Sequence, residues 1–127
     1  MATEILINDG GAPARILPFT AGAAITAGFP LKMSLDGEVD PIAAANSRPL
    51  GVALTTVSSG AIASVVTGHG VMLKVMTSGA AIVAGDLLAT AANSNLTEAA
   101  DADDAVAIAL EAGTDSADTL TKVLWLN

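Results

Sequence analysis

The sequence predicts a mainly β protein, a small β-barrel or sandwich built from two pseudo-repeated halves with an extended N-terminal arm. Three observations lead to this prediction. The chain contains an internal repeat, short apolar runs alternate with turn residues, and only 2% of its 127 residues are aromatic. With 27 alanines and 12 glycines, the core has to be built from small aliphatic side chains. Such side chains bury little apolar area each, so we expect self-association to add stability.

The internal repeat is strongest at residues 19–28, which match residues 76–85 at a constant offset of 57 with seven of ten positions identical. After a one-residue deletion the register resumes at an offset of 56, where residues 51–54 match residues 107–110. Self-similarity at a fixed spacing indicates copies of one supersecondary unit.

We therefore predict pseudo-repeats over about residues 16–67 and 73–126, within a single β domain that spans residues 15–127.

In the first half, runs rich in Val, Ile, Leu and Thr are bounded by Gly, Asp, Asn and Pro, which is typical of short strands. The predicted strands span residues 16–20, 30–35, 38–42, 50–57, 61–67 and 71–76. Asp36 and Gly37 predict a hairpin with a type I′ turn, which needs positive φ at both central residues. The last three strands are expected to form a meander around the turns at residues 58–60 and 68–70.

In the second half, the predicted strands span residues 86–90, 95–99, 105–112 and 120–126. The stretch 99–110 is rich in Ala and Asp and can also be drawn as a helix. Val106, Ile108 and Leu110 alternate with alanine, however, and this period of two favours a strand. A single helical turn is the alternative to a loop at residues 43–46.

Residues 1–14 differ in composition from the rest of the chain and are predicted to form a flexible arm outside the barrel. Ile5, Leu6 and Ile7 form a short apolar run, and residues 8–13 read Asn-Asp-Gly-Gly-Ala-Pro, which breaks regular structure. Chain ends with this composition are commonly free to lie on another surface. The alternative is that the apolar run pairs within the domain as a first strand.

Composition excludes several classes of function. Thirteen acidic against five basic residues give a net charge of −8, which argues against nucleic acid or an anionic membrane as a partner. The absence of cysteine excludes disulfides, thiolate zinc sites and a cysteine nucleophile. The start has no basic n-region and no stretch is apolar enough to cross a bilayer, so we expect a soluble chain made in the cytoplasm and not exported.

Groups able to carry out catalysis are scarce, and we predict no catalytic residue, no metal site and no cofactor. His69 lies between two glycines and is interpreted as a turn residue, because a single histidine without partners makes no triad. Residues 101–104 resemble half of a calcium loop. The required Gly and Glu are replaced by Val106 and Ala112, so a solvated acidic loop is the better interpretation.

Two other functional classes are alternatives. Lys32, in a half-repeat with a tight turn, is weakly similar to the modified lysine of biotinyl and lipoyl carrier domains. Those domains hold the lysine in the turn itself, whereas Lys32 lies four residues before Asp36. A sugar- or polymer-binding β module usually presents aromatic platforms, and the chain has no tyrosine.

Phe19, Phe29 and Trp125 are the aromatic residues of the chain. Aromatic side chains contribute large buried areas to cores and interfaces. We predict that these three are anchors of the core or of an oligomer interface.

The order of several short motifs is similar to that of a known family. Ala-Gly-x-x-Leu follows a strand at residues 27–31 and again at residues 84–88, a Gly-Val-Ala-Leu strand follows at residues 51–54, and the chain ends with Val-Leu-Trp-Leu at residues 123–126. In these features, over roughly residues 15–127, the chain resembles the small phage decoration, or capsid cement, proteins that stabilise phage heads.

The resemblance implies a structural virion protein, not an enzyme. It implies a β-rich domain that trimerises or dimerises, of which we expect the trimer. This homo-oligomer is expected on the outer face of the capsid, where it braces subunits of the major capsid protein against the pressure of the packaged DNA. Ile5, Leu6 and Ile7 are then expected to add a strand to the edge of a capsid sheet, and Arg15 to steady the junction electrostatically.

Overall fold

Short strands dominate the protein, as described by a computed structural model. The structure describes residues 5–8, 15–45, 47–78, 82–91, 94–113 and 119–126. The strands, in chain order, are β1 (Leu6–Asn8), β2 (Arg15–Ala21), β3 (Pro30–Leu35), β4 (Glu38–Pro41), β5 (Gly51–Ala53), β6 (Ile62–Thr67), β7 (Met72–Thr77), β8 (Leu87–Thr90), β9 (Leu96–Glu98), β10 (Ala107–Ala109) and β11 (Thr119–Trp125). A single 3-10 turn, Ala102–Asp104, precedes β10. The predicted β class is confirmed.

The first half of the chain closes into a five-stranded barrel in the order β2-β4-β3-β5-β6. The pairs are antiparallel except for β2 and β4, which run parallel and meet at Thr20–Glu38 and Ala21–Val39. We call this unit the first barrel.

The second half repeats the same pairing scheme, and we call it the second barrel. Its strands pair in the order β7-β11-β10-β8-β9, and a parallel pairing of Thr77 with Leu96 joins β9 back to β7. β1 is added to this unit as a sixth strand, on the outer edge of β7.

Main-chain hydrogen bonds show that the two barrels are copies. The Gly28 N–H donates to the Ala53 carbonyl at 2.9 Å, and the Gly85 N–H donates to the Ala109 carbonyl at 2.8 Å. Both glycines have a φ of 95°, in the region that favours glycine. The predicted duplication therefore extends to the backbone conformation.

The repeat has a different register in one strand. The parallel contacts make Thr77 the counterpart of Ala21, which is an offset of 56. The sequence match had paired Thr77 with Thr20. The difference is absorbed between β7 and Gly85, because that glycine is again 57 residues beyond Gly28.

Two clusters of buried side chains form the core. One fills the first barrel with Ala21, Ile25, Leu31, Val39, Ala53, Ala63 and Val65. The other is centred on the second barrel, includes Leu73, Leu88, Leu96, Val123 and Trp125, and also takes in Val52 and Val66 from the outer face of the first barrel. The barrels are thus held together by shared apolar packing.

Several details differ from the sequence-based expectations. Gly37 has a φ of 74°, but Asp36 does not have positive φ, so the β3–β4 turn is not type I′. The predicted meander is wrong, because β7 pairs with β1, β9 and β11 and not with β6.

The two stretches with a helical alternative also have a defined outcome. The stretch 99–110 combines a 3-10 turn with a three-residue strand, and residues 43–45 form no helix.

Candidate functional site

The polar residues singled out from the sequence do not converge on one site. His69 is exposed, and its Nδ1 lies 2.8 Å from the carbonyl oxygen of Leu126, the residue that follows β11. Asp101 caps the 3-10 turn by accepting a hydrogen bond from the Asp103 N–H at 3.0 Å. Within the described residues, no group of three His, Cys, Asp or Glu side chains is placed to hold a metal ion.

Lys32 lies in the middle of β3, opposite Asp40 on β4. The tip of that hairpin is formed by Asp36 and Gly37. Carrier domains present their modified lysine at such a tip, so the position of Lys32 does not match theirs.

The structure places the N-terminal apolar run inside the fold. Ile5 is buried, with 1% of its surface exposed, and belongs to the core cluster of the second barrel. Its carbonyl accepts a hydrogen bond from the Lys74 N–H at 2.8 Å, and Leu6–Asn8 pair with β7. The arm prediction is therefore wrong for residues 5–8, which adopt the alternative of a first strand. Residues 1–4 and 9–14 lie outside the described residues.

The predicted capsid contacts are Ile5, Leu6, Ile7 and Arg15, and they do not all present a side chain to a partner. The Ile5 side chain is used by the core of its own chain. Arg15 is exposed at the start of β2, opposite Thr67 on β6.

The three aromatic residues pack in the interior. Trp125 is fully buried in the second barrel. Phe19 and Phe29 are half-buried and pack against the core of the first barrel. Their role as core anchors follows from these positions, whereas a role in an oligomer interface remains a prediction.

Exposed apolar side chains are the feature that sequence analysis missed. Where the structure describes the side chains, the large ones are Ile16, Leu17, Met33, Leu35, Ile62, Val83 and Leu110. Five of them belong to the first barrel and two to the second. The internal repeat contained a signal, since Leu110 repeats Leu54, but the sequence does not reveal that one copy is covered and the other exposed. Contiguous patches of exposed apolar residues commonly mark interaction surfaces, whereas single scattered ones are normal.

Comparison with known proteins identifies the family of the chain. A family model described as phage cement protein matches residues 11–124. The chain belongs to this family. Membership agrees with the resemblance seen in the sequence and makes the chain a structural component of phage particles. No curated protein matches the chain.

A solved structure has the same fold. The "head fiber gp8.5 N base" of bacteriophage phi29 is similar over 89% of this chain and 94% of that chain, with a TM-score of 0.71 and 22% sequence identity. At this level of identity the likeness concerns the fold.

Among the described residues, no helix is long and apolar enough to span a membrane.

Proposed function

We propose that this protein is a capsid cement protein that binds the outer surface of the major capsid shell and stabilises the head. The observation that carries the proposal is the family match over residues 11–124. The proposed role is structural and not catalytic. The protein would be made in the host cytoplasm and would then bind the exterior of the virion.

The surface chemistry is compatible with this role. A cement protein needs an extended complementary surface and no reactive centre, and many copies on a lattice gain avidity because their neighbours are already bound. The exposed apolar side chains, such as Leu35 with 68% and Met33 with 45% of their surface accessible, can form a contact of this kind.

We infer that the N-terminal edge of the second barrel contributes to capsid contact. β1 is the last strand of its sheet, so one of its edges is unpaired within the described part of the chain. An unpaired edge can accept a further strand by main-chain hydrogen bonding. In this form the predicted strand addition uses the backbone of Leu6–Asn8, while Ile5 stays in the core.

The proposal is tested by co-sedimentation of the purified protein with empty capsids of its phage. Saturable binding, together with a higher temperature of capsid disruption when the protein is bound, is the expected result. A protein that stays in the supernatant at all concentrations would contradict the proposal.

Arg15→Ala tests the predicted electrostatic contact, with Lys32→Ala as the matched control. Both substitutions remove one cation from a strand of the first barrel, and we expect weaker capsid binding only for Arg15→Ala. Equal affinities of the two variants would remove Arg15 from the interface. The intact mass of the native protein, expected to lack biotin or lipoate on Lys32, tests the carrier alternative.

A further inference from the structure

The contact between the two barrels of one chain defines how such units dock. The Gly28 carbonyl on the first barrel accepts a hydrogen bond from the Met76 N–H on β7 at 2.8 Å. A Cβ at Gly28 would collide with Leu120 Cδ2 on β11, so the two backbones approach closely here. We call Ala27, Gly28, Val52, Leu54 and Val66 the docking face of the first barrel.

This docking face is covered. Val52 and Val66 are fully buried within the core cluster of the second barrel, and Ala27 and Leu54 pack against the same cluster. On the second barrel, Met76 and Leu120 receive it, and we call these two residues the receiving face.

Because the chain is duplicated, the second barrel carries a copy of the docking face. The copy consists of Ala84, Gly85, Ile108, Leu110 and Leu124. The equivalence rests on backbone contacts: Val52 is paired with Val66 as Ile108 is with Leu124. The Leu54 N–H donates to the Ser64 carbonyl at 2.8 Å, as the Leu110 N–H does to the Lys122 carbonyl at 2.9 Å.

The copied docking face is open in the single chain. Leu110 is 36% exposed, and Val83, next to Ala84, is 56% exposed. A Cβ placed on Gly85 meets nothing within 4 Å, in contrast to its counterpart Gly28.

The first barrel likewise carries an open copy of the receiving face. Met76 is paired with Leu120, and the corresponding pair in the first barrel is Thr20 with Ile62. Ile62, the counterpart of the leucine that packs on Gly28, is 61% exposed. Ile16, on the same outer side of β2 as Thr20, is 49% exposed.

We propose that a second copy of this chain covers these faces, with the copied docking face of one chain seated on Thr20 and Ile62 of the next. The occupant follows from the molecule itself, because the inter-barrel contact within each chain joins the counterparts of these two faces. The copy can repeat the side-chain packing of that contact but not its main-chain hydrogen bond, since the Thr20 N–H already donates to the Gly37 carbonyl at 2.9 Å. A contact between two different faces is heterologous, and repeated copies close into a ring when the rotation between them permits. The predicted trimer would be a ring of six barrels.

This self-association does not depend on capsid binding and is tested on the isolated protein. Sedimentation analysis over a concentration series is expected to show wild-type oligomers at a multiple of the 12.5 kDa chain mass. Leu110→Asp and Ile62→Asp each place a charge in one of the two faces, and both variants are expected to be monomers. Met33→Asp is the matched control, since Met33 is 45% exposed on β3, which contributes to neither face, and the substitution should leave the oligomer intact.

Mixing the two monomeric variants provides the sharper test. The Leu110→Asp chain keeps an intact receiving copy at Ile62, and the Ile62→Asp chain keeps an intact docking copy at Leu110. A heterologous contact therefore predicts one-to-one dimers in the mixture and no larger ring.

Circular dichroism on every variant shows whether it has folded. A monomeric wild-type protein, or folded Leu110→Asp and Ile62→Asp variants that keep the wild-type mass, would overturn the proposal. A mixture in which two folded monomeric variants fail to pair would also overturn it. Capsid binding by a monomer would overturn the ring and leave the cement function standing.

Discussion

Gly28 lies where the two barrels approach each other closely. Its φ of 95° is a conformation that side-chain-bearing residues rarely adopt. Its missing side chain also leaves room for Leu120 from the other barrel. Gly60 has a φ of 87° but open space around it. A side chain at Gly60 would therefore strain only the backbone, whereas a side chain at Gly28 would strain the backbone and also collide with Leu120.

We predict that Gly28→Ala lowers the free energy of unfolding by about 3 kcal/mol, through backbone strain of about 1–2 kcal/mol and overpacking of about 1–3 kcal/mol. Gly60→Ala should cost about 1–2 kcal/mol, because only the backbone term applies. Urea denaturation of both variants measures the difference. Equal losses would mean that the barrels do not approach as closely as the position of Leu120 indicates.

At the scale of elements, β1 is a difference between the two copies of the fold, because it pairs with the second barrel and has no counterpart on the described part of the first. The Lys74 N–H on β7 donates to the Ile5 carbonyl and so helps to hold β1 in place. The counterpart of Lys74 in β2 is Pro18, at the offset of 56, and proline has no N–H to donate. Proline on an exposed strand edge discourages strand addition. The first barrel therefore lacks the bond that holds β1 on the second.

We predict that Ile5→Ala lowers the free energy of unfolding by about 2–4 kcal/mol, the usual cost of truncating a fully buried aliphatic side chain. Leu35→Ala is the control, and it should change stability by less than about 0.5 kcal/mol because the side chain lies mostly in solvent. Thermal unfolding of the two variants gives the comparison. An Ile5→Ala protein as stable as the control would show that the N-terminal segment is not part of the core in solution.

Local pattern predicted most strands, because apolar runs and turn residues are local signals. The positions of β2, β3, β6, β7 and β11 were predicted to within about two residues. Closure of each half into its own ring was not predictable in the same way. It depends on the parallel contacts Ala21–Val39 and Thr77–Leu96, which are non-local and only one or two residues long. The sequence does not decide between an arm and a first strand at Ile5–Ile7, because three residues are too few to show a period.

The candidate surface was less predictable than the fold. The motifs predicted the family, and the internal repeat predicted that Leu54 and Leu110 occupy equivalent positions. Which of the two leucines is covered depends on how the barrels pack together. That packing is a property of the whole molecule and leaves no mark on the sequence around either residue.

At the scale of the whole molecule, Leu54 and Leu110 test the inter-barrel contact against its exposed copy. Both substitutions to aspartate are made in the Ile62→Asp chain, in which the proposed self-association is absent. Leu54→Asp should lower the free energy of unfolding by about 3 kcal/mol, because a charge replaces an apolar contact between the barrels. Leu110→Asp should cost less than about 0.5 kcal/mol, as at an ordinary surface position. Chemical denaturation distinguishes them, and similar losses would contradict the assignment of Leu54 to the contact.

The position of β1 also has a consequence for synthesis on the ribosome. All five strands of the first barrel lie between residues 15 and 67, so this unit can close while the rest of the chain is still being translated. Ile5 emerges earlier but has no partner until Met72–Thr77 has left the exit tunnel. Until the second unit folds, the nascent chain therefore leaves Ile5 without the core in which it is buried in the finished protein.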